Sequence, residues 1–171
     1  MPVCEGGAGA LSARPATEAD AALLLEWRND PVTRQWSRNT DPVAPADHGA
    51  WLRRVLDSPD RHLFVIGTPS EEVGTVRFDR DASQEVWEVS ITLAPSVRGK
   101  GMSAAVLAAG ERALLAERDA AAELPVLAVL AVLATVHEDN AASMALFERA
   151  GYRKQSAEGR FLVLRKELEN R

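Results

Sequence analysis

Several residue types and patterns are scarce in this chain, and each scarcity removes a class of function. A single cysteine, Cys4, in 171 residues leaves no disulfide framework, and the three histidines, His48, His62 and His137, stand apart from it and from one another. Zinc and iron sites need clustered Cys and His at ligand spacing, so no metal is expected. Cys4 lies in a Gly/Ala-rich stretch that has neither the basic region nor the apolar core of a signal peptide. Residues 1–10 are therefore expected to be a disordered tail whose thiol has no role, and the protein to be cytoplasmic. The longest apolar run, residues 124–136, is too short to cross a bilayer, so no membrane is expected. Basic residues are outnumbered, 20 Lys and Arg against 25 Asp and Glu, for a net charge of −5. That balance supplies no basic face for nucleic acid. Arg28, Arg34, Arg38, Arg53, Arg54 and Arg61 do gather in one region, but Asp30, Asp41, Asp47, Asp57 and Asp60 interleave with them, which reads as a solvated mixed face.

What is present is globular: 46% apolar and 26% charged residues, at a length that suits one domain, taken as residues 11–171. Residues 11–15 read as a strand. Thr17 with Glu18 and Asp20 reads as a helix start, and Asp30-Pro31 as that helix's end. A further helical turn is expected over residues 32–36 and a helix over residues 46–56, where Trp51, Leu52, Val55 and Leu56 share a face. Residues 61–67, 73–78 and 85–93 form a predicted antiparallel meander of three strands. An Ala-rich helix is predicted over residues 102–117, a strand from about Val129, and a last helix capped by Asp139 and ended by Gly151. Residues 152–155 and 161–166 then pair as a hairpin across 157–160.

The chain is organised around Arg98-Gly99-Lys100-Gly101-Met102-Ser103, which joins the end of a predicted strand to the start of a predicted helix. Two glycines remove side chains from the backbone there, so N–H groups can converge on an anion at the positive end of the helix. A Walker loop is excluded because Lys100 is followed by Gly101. The dinucleotide fingerprint fails at Ala104, where it needs glycine. The loop resembles the acetyl-CoA signature of the GNAT acetyltransferase superfamily, Arg/Gln-x-x-Gly-x-Gly/Ala, on Arg98, Gly101 and Ser103, with Ser103 a mild departure. Downstream, residues 137–152 resemble the superfamily's second element, Asn-x-x-Ser/Ala-x-x-Leu-Tyr-x-Lys-x-Gly-Phe, beginning at Asn140.

The resemblance covers nearly the whole chain from Leu11. It implies an α/β (α+β) GNAT fold: a mixed, mostly antiparallel central sheet of six to seven strands flanked by about four helices. It implies acetyl-CoA as cosubstrate, held by Leu93, by the backbone from Val97 through Arg98, Gly99, Lys100, Gly101 and Met102 to Ser103, and by Asn140 and Phe147. It also implies direct transfer of acetyl to a small amine acceptor in a ternary complex, without metal, with a homodimer left open as the assembly. Glu88, on the strand leading into the loop, matches an acidic position of many relatives and is the first expected base. His137, at the end of the following strand, is the second.

The sequence departs from the family at the leaving-group acid. The phenol place holds Phe147, and the only tyrosine, Tyr152, falls on a packing position; Ser143, on the helix face of Asn140 and Phe147, is a hydroxyl in the phenol's stead. The run Trp27-Arg28-Asn29-Asp30-Pro31, with Arg34 and Trp36 after it, resembles the acceptor wall of amino-sugar acetyltransferases of nucleotide-sugar pathways, and of those acting on ribosomal protein N-termini. Trp27, Arg28, Asn29 and Arg34 are thus the expected acceptor residues. A module that binds CoA without efficient catalysis is the reading from another class.

Overall fold

Runs of Val, Ile and Phe in the middle of the chain are long enough to pair and apolar enough to be covered on both faces. In the computed structural model, which describes residues 10–122 and 129–169, they form one seven-stranded sheet in the order β1-β2-β3-β4-β5-β7-β6. The strands are β1 (Ser12–Pro15), β2 (Arg61–Gly67), β3 (Glu72–Asp81), β4 (Val86–Leu93), β5 (Leu130–His137), β6 (Arg153–Glu158) and β7 (Phe161–Leu168). Every neighbouring pair is antiparallel except β4 and β5, which run parallel. The helices among the described residues are α1 (Ala21–Asn29), α2 (Pro31–Gln35), α3 (Pro45–Asp57), α4 (Ser103–Ala121) and α5 (Ala141–Arg149). The expected α/β architecture is therefore present, with five helices where about four were expected.

The fifth is the helical turn expected over residues 32–36, which begins at Pro31. Asp30 leaves the helical region, with φ −57° and ψ 133°, and its carboxylate accepts the backbone N–H groups of Val32 and Thr33. One residue thus ends α1 and caps α2. At the start of α1, Asp20 accepts the backbone N–H of Thr17 at 2.8 Å and both terminal guanidinium nitrogens of Arg14.

Helices cover the two faces of the sheet. On one face, α4 approaches so closely that a Cβ at Gly110 would stand 2.6 Å from Cβ of Val76. That contact belongs to a core in which Val76, Phe78, Val106, Leu107 and Leu114 are buried. On the other face, α1 and α3 lie over the side of β3 that carries Thr75 and Arg77.

Several predicted boundaries shift, β3 among them, which runs on to Asp81 where an end at Phe78 was expected. Asn140, not Asp139, caps α5, its Oδ1 accepting the N–H of Ser143 at 3.2 Å. The terminal hairpin turns at Gly159-Arg160 alone, since Glu158 already pairs with Phe161 and Gly159 takes the positive φ of 59° that a tight turn requires. The Ala-rich helix runs on to Ala121, beyond residue 117. The tail at residues 1–9 and the start of the apolar run at 124–128 lie outside the described residues. No helix of the described residues is long and apolar enough to cross a membrane.

Candidate active site

The parallel pair β4 and β5 separates partway. Their register runs from Val86 opposite Ala131 to Val89 opposite Ala134 and stops there. β4 nonetheless continues to Leu93, held by β3, and β5 to His137, held by β7. A wedge therefore opens toward the C-terminal ends of both strands, flanked by the loop into α4 on one side and the start of α5 on the other. Ends of parallel strands facing helix N-termini form the usual ligand crevice of such sheets.

The loop from β4 is built to leave donors free. Val97, 1% exposed, anchors it in the core. The N–H groups of Val97, Arg98 and Lys100 donate to the carbonyls of Ala94, Pro95 and Val97. Those of Gly99, Gly101, Met102 and Ser103 have no such bond within the loop. Gly99 and Gly101 adopt φ of 73° and 70°, and a Cβ at either would meet nothing within 4 Å. Glycine is needed there for the backbone conformation, and the space above it stays open. The loop thus fits an anionic phosphate group through its second half, rather than through the whole of 97–103.

Arg98 is not free to face that anion. Its Nη1 lies 2.6 Å from Oδ2 of Asp30, and its Nη2 donates to Oγ1 of Thr33 at 2.8 Å. Burial alone would raise the Asp30 carboxyl, but Arg98 and the N–H groups of Thr33 and Val32 outweigh it and hold the pKa below its ordinary value. Lys100 is exposed and remains the loop's available cation. Leu93 closes β4 opposite Gly74.

The expected catalytic groups are spread around the opening, Glu88 in the last paired stretch of β4 and His137 at the end of β5. Glu88 pairs with Asp79 and Leu133, two positions before Ser90, and its Oε1 accepts from Nη2 of Arg38 at 3.1 Å. His137 ends β5 with its ring edge-on to Phe161 and tilted against Trp36, at centroid distances of 5.3 and 5.7 Å. Its Nδ1 accepts the backbone N–H of Asp139 at 3.1 Å. In the neutral ring the proton therefore sits on Nε2, which makes that nitrogen the ring's donor. Ser143 lies in the first turn of α5, half-buried, with no hydrogen bond to its hydroxyl among the described residues. Phe147 does not face the wedge as expected of a cofactor contact: it is 4% exposed and packs edge-on against Tyr152, with ring centroids 5.0 Å apart. α5 turns this position into the core beside Leu146.

On the α1 side of β4 lies a cavity of about 310 Å³. Ser90 and Thr92, from the half of β4 that β5 has left, form part of its wall. Two of the expected acceptor residues line it, Trp27 and Arg28; Trp27, 5% exposed, serves mainly as packing. Asn29 is already occupied. Its side chain donates to the carbonyl of Val43 at 2.9 Å and accepts from the N–H of Val43 at 2.7 Å, so it clamps the loop between α2 and α3 instead of meeting a ligand. Arg34 is half-buried beside Arg28 and does not line the cavity.

Sequence reasoning missed His48, Trp51 and Arg77, which also line this cavity. His48 and Trp51 are one helical turn apart on the apolar face of α3, and that spacing could have paired them. Arg77 shares a strand face with Thr75, a basic residue on a sheet covered on both sides. The guanidinium of Arg77 lies over the Trp51 ring, 5.2 Å from its centroid. Burial, helped by the charge of Arg28, pushes the His48 imidazole below its ordinary pKa of 6.5.

The profile of the acetyltransferase (GNAT) domain family matches residues 11–153. No curated protein is a significant match by sequence. Among solved structures, a domain from Methanocaldococcus jannaschii DSM 2661 superposes with a TM-score of 0.71 at 19% identity, covering 92% of this chain and 98% of that one. The aminoglycoside acetyltransferase AAC(6')-Ib in complex with coenzyme A gives 0.72 at 18% identity, covering 91% and 94%. The spermidine N-acetyltransferase from Vibrio cholerae in complex with CoA and spermine gives 0.72 at 16% identity, covering 94% and 95%. Identities this low establish a shared fold and nothing finer.

Proposed function

From a chain that belongs to the acetyltransferase (GNAT) domain family, we propose an acetyl-CoA-dependent N-acetyltransferase that acts directly on a primary amine of a small molecule. The observation that carries this reading is the separation of β4 from β5 between two openings: the glycine loop's free N–H groups on one side and the cavity behind Ser90 and Thr92 on the other. Acetyl-CoA supplies an activated thioester. The backbone of 99–103 at the N-terminus of α4, with Lys100, suits its phosphates, and the wedge suits the arm that carries the thioester.

The chain's own groups divide the remaining work. Glu88 accepts the ammonium proton, directly or through a water, because it lies on the cavity face of β4 and an amine must be neutral to attack. The Nε2–H of His137 and the hydroxyl of Ser143 are the protein donors available to the departing thiolate, since Phe147 has no proton to give. Of the two arginines expected at the acceptor wall, Arg28 lines the cavity and favours an acceptor bearing an anionic group, the feature for which a nucleotide-linked amino sugar was expected. The branches acting on amino sugars and on ribosomal protein N-termini remain separate readings of the same wall. AAC(6')-Ib and the spermidine enzyme illustrate small amine acceptors on this fold.

Calorimetry with acetyl-CoA, together with thiol release in the presence of an amine panel, tests the proposal. Wild-type protein is expected to bind and turn over. Gly101→Asp, which puts a carboxylate in the open cradle, is expected to lose affinity with its circular dichroism unchanged. Unchanged affinity rejects the cradle, and binding without transfer to any amine would mark a CoA-binding module instead of an enzyme.

A further inference from the structure

The cavity behind β4 has an unbalanced charge. Its charged lining is Arg28 from α1 and Arg77 from β3, with no acidic side chain among the lining residues. His48, from α3, has its pKa lowered by burial and by the charge of Arg28. Outside the lining, Asp79 takes the Nε of Arg77 at 2.9 Å but also faces the Nε of Arg61 at 3.7 Å, so one anion serves two arginines, and Glu88 beside it on the cavity face of β4 is engaged by Arg38. Arg28 has no ion-pair partner among the described residues. Its Nη2 donates to the carbonyl of Asn39, whereas its Nη1 is buried without a hydrogen bond. Arg34 close by adds a third cation whose Nε is likewise buried and unpartnered.

A buried guanidinium nitrogen without an acceptor is costly, and native proteins keep such a group where a ligand or ion completes it. Here the missing group is an acceptor of hydrogen bonds, and one that carries negative charge would also offset the arginines. The cavity's size, at the low end for small-molecule sites, suits a compact molecule. Its position against Ser90 and Thr92 places that molecule beside the wedge. We infer that the acceptor is an anionic amine, a compact molecule whose carboxylate or phosphate seats on Arg28 and Arg77 while its amine reaches toward the end of β4. This rests on reading the cavity as the acceptor site of an N-acetyltransferase. It assigns Arg77 a role in specificity, with Trp51 holding its guanidinium plane, and it sets polyamines and other polycations apart as poor substrates, because two arginines repel them.

Anion binding can be read without turnover. Titration with inorganic phosphate, and separately with acetate, at constant ionic strength set by chloride, is expected to change tryptophan fluorescence saturably, since Trp27 and Trp51 line the cavity. Arg28→Met and Arg77→Met are expected to remove the response, while Arg53→Met, an exposed site outside the cavity, keeps it. Where Arg77→Met loses the fold, Arg77→Lys, with the charge but without the fork, is expected to weaken the response. A response that is absent in the wild type, or unchanged in the cavity variants, overturns the inference.

Kinetics then separates the two sources of the anion. An amino acid is compared with its amide, and an amino-sugar phosphate with the free amino sugar. One of the two anionic members is expected to be preferred by about ten-fold or more in kcat/KM, the scale of one charge-assisted hydrogen bond. Equal use within both pairs, or a preference for spermidine, overturns it. If no amine is acetylated at all, the acetyltransferase reading fails by itself, and the anion titration still decides whether the cavity is an anion site.

Discussion

The guanidinium of Arg98, in the loop after β4, lies 2.6 Å from the carboxylate of Asp30, the residue that ends α1 and caps α2. The bond ties the proposed cofactor loop to α1, which walls the proposed acceptor cavity, and to the start of α2. Because Asp30 also accepts two backbone N–H groups, loss of Arg98 leaves a carboxylate that still holds the helix start, whereas loss of Asp30 frees both the arginine and the cap.

A double-mutant cycle on Arg98→Met and Asp30→Asn is expected to give a coupling of about 1–2 kcal/mol, reduced from a fully buried charged hydrogen bond by the partial exposure of both side chains. The pH sign follows from the depressed Asp30 pKa. Its stabilisation is fully present above the ordinary value of 3.8 and is lost as pH falls through the lower folded value. Urea unfolding across that acidic range should show a smaller loss in Asp30→Asn than in the wild type, the remainder coming from carboxylates such as Asp20, which Arg14 also holds below its ordinary pKa. A coupling near zero would mean that the contact holds nothing together.

Glu88 offers a sharper test of mechanism. Its contact with Arg38 is between two well exposed side chains, so it is worth little and leaves the carboxylate available. Glu88→Gln is expected to lower kcat by about two to four orders of magnitude with a small change in KM for acetyl-CoA. His137→Ala should cost less, because the Nδ1 lone pair is already engaged by the N–H of Asp139. If the histidine variant abolishes the acidic limb of the pH profile and the glutamine variant does not, the base is His137.

How much of this was legible beforehand depended on whether the deciding partner was near in sequence. Strand β2 and the breaks at Asp30-Pro31 and Gly151 were readable because proline, glycine and a short bounded apolar run act within a few residues. The glycine loop was readable for the same reason. The uses of Arg98 and Asn29 were not, since their partners, Asp30 and Val43, are brought to them only by folding. Phe147 was expected at the cofactor and lies against Tyr152, because which face of α5 is buried depends on the α4 and β5 surfaces beneath it. The Arg77 and His48 contributions were hidden by the same limit: an isolated Arg in a strand and an isolated His in a helix acquire meaning only when β3 and α3 meet across the cavity.

The pair formed by Lys166 and Glu111 should dominate the pH dependence of stability at the far side of the sheet. Glu111, on α4, is 6% exposed, and Lys166, on β7, approaches its Oε2 at 2.8 Å and its Oε1 at 3.2 Å. Burial pushes the Glu111 carboxyl above its ordinary 4.5, and Lys166 pulls it partly back. Lys166→Met removes the compensating cation but keeps most of the aliphatic stem that packs near the Tyr152 ring. The expected cost at pH 7 is about 3 kcal/mol, the low end for a broken buried pair, because the lysine itself keeps partial contact with water. With the folded pKa raised, the native state holds a proton that the unfolded state has released, so stability falls as pH rises through the interval above 4.5. The variant's deficit should therefore be largest at neutral pH and shrink toward pH 5, where Glu111 takes up its proton in the folded state at little cost. Adding Glu111→Gln to Lys166→Met should recover part of the loss at pH 7 and make the remainder insensitive to pH. Urea midpoints measured from pH 5 to pH 8 decide the matter: a deficit that stays constant over that range would show that Lys166 contributes packing and not charge compensation.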